Sequence, residues 1–124
     1  MIASDNKAKN VLGTLMQSCC LESKTGFYRD GSCNTDHNDR GKHIVCAIMT
    51  DKFLQFSKSM GNDLTTPILQ YNFLGLKAGD KWCLCIKRWK EALTNNAAPK
   101  VILESCHQEC LKYISIEDLK MHCV

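Results

Sequence analysis

The chain has 124 residues, 44% of them hydrophobic and 23% charged, which is enough for one domain with one core and lies in the ordinary globular range. Its formal charge of +3 is too mild and too scattered for a nucleic-acid binder, which calls for a basic stripe. No apolar run approaches the roughly 18 residues of a membrane span. Neither nucleic acid nor membrane is an expected partner.

Nine cysteines are an odd number, which argues against a complete intrachain disulfide framework. The opening MIASDNKAKN lacks the apolar stretch of a secretory signal. A cytoplasmic location is therefore expected, with most thiols free and acting as small buried hydrophobes.

Residues 1–9 read as a disordered polar tail ahead of one domain over 10–124. Residues 14–24 have no clear period. A disulfide between neighbours is strained, so Cys19 and Cys20 are both read as thiols. In residues 25–35, TGFYRDGSCNT, Asp30-Gly31 is a strong turn signal, because glycine accepts the positive φ that tight turns need. Residues 36–42 are polar and turn-rich, hence a surface loop.

HIVCAIM at 43–49 is continuously apolar and β-branched, which predicts a buried strand. Thr50 then reads as the N-cap of a helix over 51–60, with Phe53, Phe56 and Met60 near one face and Gly61 closing it. Residues 62–67 form a loop, and 68–79 an irregular packed one. KWCLCIK at 81–87 predicts a strand with Trp82, Leu84 and Ile86 on one face and Cys83 and Cys85 on the other. A helix over 88–95 follows, with Trp89, Ala92 and Leu93 on one side, and Lys87, Arg88 and Lys90 read as its solvated start. KVIL begins a third strand at 100–104. Ser105 with Gln108 is a capping-box pattern for a helix over 106–112, and Ser115 with Asp118 a weaker one for 116–122.

TGFYRDGSCNT at 25–35, GNDLTTP at 61–67 and GLKAGDKWCLCIKRWKEA at 75–92, with NVLG at 10–13 and SIEDLKMH at 115–122, resemble the uncharacterised family catalogued as domain of unknown function 2237. The resemblance implies a small stand-alone protein and supplies no reaction. The chain departs from the family pattern at Ser32, where the family has a second cysteine, and at Ala78, where it has proline. Cys106, Cys110 and Cys123 lie outside the pattern.

Three chemistries compete for the motif loops. A small-molecule or peptide pocket would use Tyr28, Arg29, Asp30, Asn62, Asp63, Trp82 and Arg88, with Arg29 alternatively pinned to Asp30 or Asp63 by an ion pair. Nucleophilic catalysis would use Cys33, Cys83 or Cys85 with His43 or His107 as base, and Asp30 or Asp63 to orient it. Zinc would need a composite set from Cys33, Cys46, Cys83, Cys85 and His107, because the chain has no CxxC. No cofactor is expected in the first reading. A fourth reading is a protein-interaction module, with an apolar patch on the 51–60 helix or the 68–76 loop. The expectation is an α+β domain with a small sheet, most of all a soluble ligand-binding accessory protein; monomer and homodimer both remain open.

Overall fold

Two short apolar runs build the centre of the molecule, a computed structural model that describes residues 8–124. HIVCAI forms β1 (His43–Ile48) and KWCLC forms β2 (Lys81–Cys85). They pair antiparallel, with Cys46 opposite Cys83, Val45 opposite Leu84 and Ala47 opposite Trp82. A bulge between His43 and Val45 then sets His43 opposite Cys85. Ile44, Val45, Cys46 and Ala47 are all buried, so β1 is covered on both faces, as its unbroken apolar run requires.

The fold is α+β. Its sheet has two strands, not the three expected. The segment at 100–104 contributes a bridge at Val101, which touches Ala47 on one side and Cys123 on the other. Pro99 has no N–H to extend the ladder, and Leu103–Ser105 turns away as a 3-10 helix.

Helix α1 (Asp51–Ser59) starts as its sequence predicts: the Thr50 hydroxyl accepts from Phe53 N–H at 3.0 Å. Gly61, at φ +93, follows the C-cap Met60. The buried face is Phe53, Leu54 and Ser57, whereas Met60 is exposed. Burial of Phe53 alone is worth about 3 kcal/mol relative to leaving it in water.

Helix α2 (Ile86–Thr94) begins two residues earlier than expected, and β2 accordingly ends at Cys85. Ile86, Trp89 and Ala92, spaced by three, form its buried stripe, and burying Ile86 there ends the strand. Trp89 donates its indole N–H to the Pro99 carbonyl at 3.0 Å. Helix α3 (Ile116–Met121) is capped by Ser115, which accepts from Asp118 N–H at 3.1 Å, and it buries Leu119.

The capping box at Ser105 does not form. Its hydroxyl donates to the Ser18 carbonyl at 3.0 Å, a tie across the core that outcompetes the local bond. His107 instead caps the 3-10 helix Gln108–Lys112, its Nδ1 accepting from Glu109 N–H at 3.0 Å.

Residues 1–7 of the expected tail lie outside the described residues. Lys9 already bridges to Leu15, and Asn10 is fully buried, donating to the Glu104 carbonyl at 3.0 Å. Among the described residues no helix is long and apolar enough to cross a membrane.

Candidate functional site

The TGFYRDG segment is anchored to β2 by its first residue. Thr25 is fully buried, and its hydroxyl accepts from Cys83 N–H at 2.8 Å. Gly31 N–H returns to the Thr25 carbonyl at 2.9 Å, and the Gly31 carbonyl accepts from Cys19 N–H at 2.7 Å. Gly26 holds φ +102, and a Cβ there would run into the Ser32 carbonyl oxygen, so the turn admits glycine alone. Arg29 is held at φ +57, a conformation that costs a non-glycine residue roughly 1 kcal/mol.

That strained turn sets the Arg29 guanidinium over the Trp82 ring, 5.3 Å from its centroid. Arg29 and Trp82 share the wall of two cavities. One, of about 480 Å3, is also lined by Gly26, Phe27, His43, Asn62, Leu64, Arg88 and the β2 residues Cys83, Leu84 and Cys85. The other, of about 710 Å3, lies against Glu22, Ser23 and Lys24 and the loop over 71–77. Arg88 reaches the smaller cavity from the first turn of α2, where it donates to the Met60 carbonyl at 3.2 Å and pairs with Glu91 at 3.3 Å.

Asp39 and His43 form a second built feature. Asp39 is fully buried, and its carboxylate accepts from Thr35 Oγ1 at 3.0 Å and from His43 N–H at 2.9 Å. Its other oxygen lies 2.7 Å from His43 Nδ1. A carboxylate only accepts, so Nδ1 carries the proton and Nε2 is left as the basic nitrogen of the neutral ring. Phe27 stacks on this ring at 6.1 Å. A Cβ on Gly41 would lie 2.7 Å from His43 Cε1, so any side chain there would push the ring from its place. Across the ladder stands Cys85, a free thiol on the same cavity. Residues so opposed have Cβ atoms about 5 Å apart.

Four further sulfurs, those of Cys19, Cys33, Cys46 and Cys83, converge in the core. Cys19 is joined to Cys46 and Cys33 to Cys83, with Cα separations of 5.6 and 5.5 Å. The Sγ atoms of Cys19, Cys33 and Cys83 all lie within 4.8 Å of one another. The reading of Cys19 as a thiol is thereby corrected, and Cys33 and Cys83, expected as candidate nucleophiles, have no free thiol because they are bonded to each other. Residues up to 50 apart in the chain are brought together by the ladder and the Thr25 anchor, a proximity that local spacing does not encode. Cys20, Cys85, Cys106, Cys110 and Cys123 are free. A hydrogen bond with Ser23 holds the Cys20 thiol below its ordinary pKa. A hydrogen bond with Cys106, together with burial, pushes Cys110 well up.

The profile of the family described as an uncharacterized protein conserved in bacteria, DUF2237, matches residues 9–123. The chain belongs to this family. No curated protein matches it.

In this DUF2237 chain the expected site residues divide. Arg29, Asn62, Trp82, Arg88 and His43 meet on one cavity with Cys83 and Cys85. Tyr28 faces outward and donates to Asp36, which raises the phenol pKa and lowers that of the carboxyl. Asp30 bonds Ser32 N–H and Asn34 within its own loop, and Asp63 bonds Thr65 and Thr66 in the same way, which holds Asp63 far below the usual carboxylate range. Neither orients a histidine, and neither pairs with Arg29. His107 lies away from the cavity, caps its own turn, and is pushed below its ordinary pKa by burial. Of the composite metal set, Cys33 and Cys83 group with Cys19 in the core, Cys46 is bonded to Cys19, and Cys85 and His107 lie outside the group. On the 68–76 loop Leu69, Tyr71 and Leu74 are exposed.

Two residues of these clusters, Asp39 and Cys19, escape the sequence reading. Asp39 has a legible signal, the Asp-x-x-x-His spacing within DRGKH at 39–43. Cys19 has none beyond its neighbour Cys20.

Proposed function

We propose that the protein binds a small anionic molecule with a flat apolar portion in the cavity between Arg29 and Arg88. The observation that carries this reading is Arg29 itself. It has no carboxylate partner among the described residues, and a strained backbone holds it on the Trp82 face at the cavity wall. A guanidinium so fixed offers a preorganised fork to a carboxylate or phosphate, while Phe27 and Trp82 supply the apolar walls. A cytoplasmic location fits the five free thiols, whereas the two core disulfides fit an oxidising compartment, and the cavity reading depends on neither.

Calorimetric titration with a panel of aromatic carboxylates and phosphate esters tests it. A binder is expected whose affinity falls roughly tenfold or more in Arg29→Gln, the size of one charge-assisted hydrogen bond. A panel that yields no binder, or a binder indifferent to both Arg29→Gln and Arg88→Gln, overturns it.

A second reading rests on Asp39, His43 and Cys85. A thiol beside an imidazole oriented by a buried carboxylate is the arrangement of a cysteine nucleophile with its base. In that reading Cys85 passes its proton to His43 Nε2 and adds to a carbonyl carbon of the bound molecule, the C=O π pair moving onto the oxygen.

A further inference from the structure

We infer that Cys19, Cys33, Cys46 and Cys83, when reduced, form a tetrathiolate site for a zinc ion, in the core behind the ligand-cavity wall to which Cys83 contributes. Two independent crosslinks require each sulfur to meet one partner. Here Cys19 lies within 4.8 Å of both Cys33 and Cys83, to neither of which it is bonded. Sulfurs at the corners of a zinc tetrahedron with Zn–S of 2.3 Å are about 3.8 Å apart, so reduction must let the Cys33 and Cys83 sulfurs part toward two corners, with Cys19 in reach of a third. Cys46 stands outside that group; bonded to Cys19 and directly opposite Cys83 on the ladder, it supplies the fourth by turning about its Cα–Cβ bond once the link to Cys19 is reduced.

Three of the four cysteines are also held by backbone bonds independent of the S–S links. Cys46 and Cys83 are fixed by the β1–β2 ladder, Cys83 N–H by Thr25, and Cys19 N–H by the Gly31 carbonyl. All four side chains are buried, at 5% exposure or less. No oxygen or imidazole ligand joins the three-sulfur group, and an all-thiolate set selects zinc over magnesium or calcium. Four protein ligands with no position open to water describe a structural site.

The chemistry balances. Each S–S bond takes two electrons and two protons to give two thiols. A phosphine supplies the electrons and leaves as its oxide, with oxygen from water. Zinc then displaces the four thiol protons.

The test uses the whole chain, reduced with a phosphine under anaerobic conditions and titrated with Co2+ and then Zn2+. One Co2+ per chain is expected, with the absorption of tetrahedral cobalt and intense thiolate charge transfer, bleached by one Zn2+. Zinc should also shield four thiols from an alkylating reagent. Cys33→Ser should weaken Co2+ binding at least about tenfold, and Cys20→Ser should leave it unchanged. Absent charge transfer in the wild-type protein overturns the inference without recourse to any variant. A spectrum that survives Cys33→Ser, or disappears in Cys20→Ser, overturns it as well.

Discussion

Asp39→Asn separates a structural role for His43 from a chemical one. The asparagine side chain has one acceptor where the carboxylate has two, so it must turn its NH2 toward one of the present donors. Facing the His43 N–H and the Thr35 hydroxyl, the NH2 would set donor against donor. Facing His43 Nδ1, it donates, and the ring proton moves to Nε2. The second arrangement keeps the bonds to the backbone and to Thr35. The loss is then a charge-assisted bond replaced by a neutral one, about 1–2 kcal/mol. For a chain of this length each kcal/mol moves Tm by about 4 °C, so a fall of about 4–8 °C is expected. The effect on Cys85 should be larger. With Nε2 protonated, His43 no longer takes the thiol proton, and alkylation of Cys85 by iodoacetamide near neutral pH should slow about tenfold or more, below the full 10²–10⁴-fold of a general base in enzymatic reactions. Peptide mass spectrometry reads the modification at Cys85, and Cys85→Ser provides the blank. A rate within about twofold of wild type would refute the reasoning and leave Asp39–His43 as a loop fastener.

Two further outcomes follow from the packing. Trp89→Phe removes the only indole donor to the buried Pro99 carbonyl and leaves a void, and urea denaturation should show a loss of about 2–3 kcal/mol; a loss under about 0.5 kcal/mol would count against that bond. His107 is held below its ordinary pKa by burial, so the fold keeps it neutral while the unfolded chain takes up a proton as pH falls. Its contribution is complete above the unfolded value of about 6.5 and is lost below it. The urea midpoint should therefore drop between about pH 7.5 and 5.5, and drop less in His107→Asn, which keeps a cap acceptor; equal slopes would refute the assignment.

Local chemistry was legible where one residue decides a local bond. Thr50 and Ser115 cap the helices that follow them, and Gly61 ends α1, because a hydroxyl or a missing side chain acts within one turn. The β1 run and the Asp30-Gly31 turn are of the same kind. Local signals failed where a distant group offered a better partner: Ser105 bonds Ser18, 87 residues away, rather than its own turn, and Ile86 follows the α2 stripe into the core rather than continuing β2.

The sequence by itself determined the family, the α+β class and the segments that carry Arg29, Asn62, Trp82 and Arg88. Tertiary structure decided which of those groups meet. Pairing β1 with β2 through a bulge puts His43 opposite Cys85, and burial of Asp39 beneath the same strand end gives the imidazole its orientation. The same ladder, with Thr25 fastened to Cys83, gathers sulfurs from four separate segments. Both depend on through-space register between strands, which a one-dimensional pattern of apolar and polar residues does not specify.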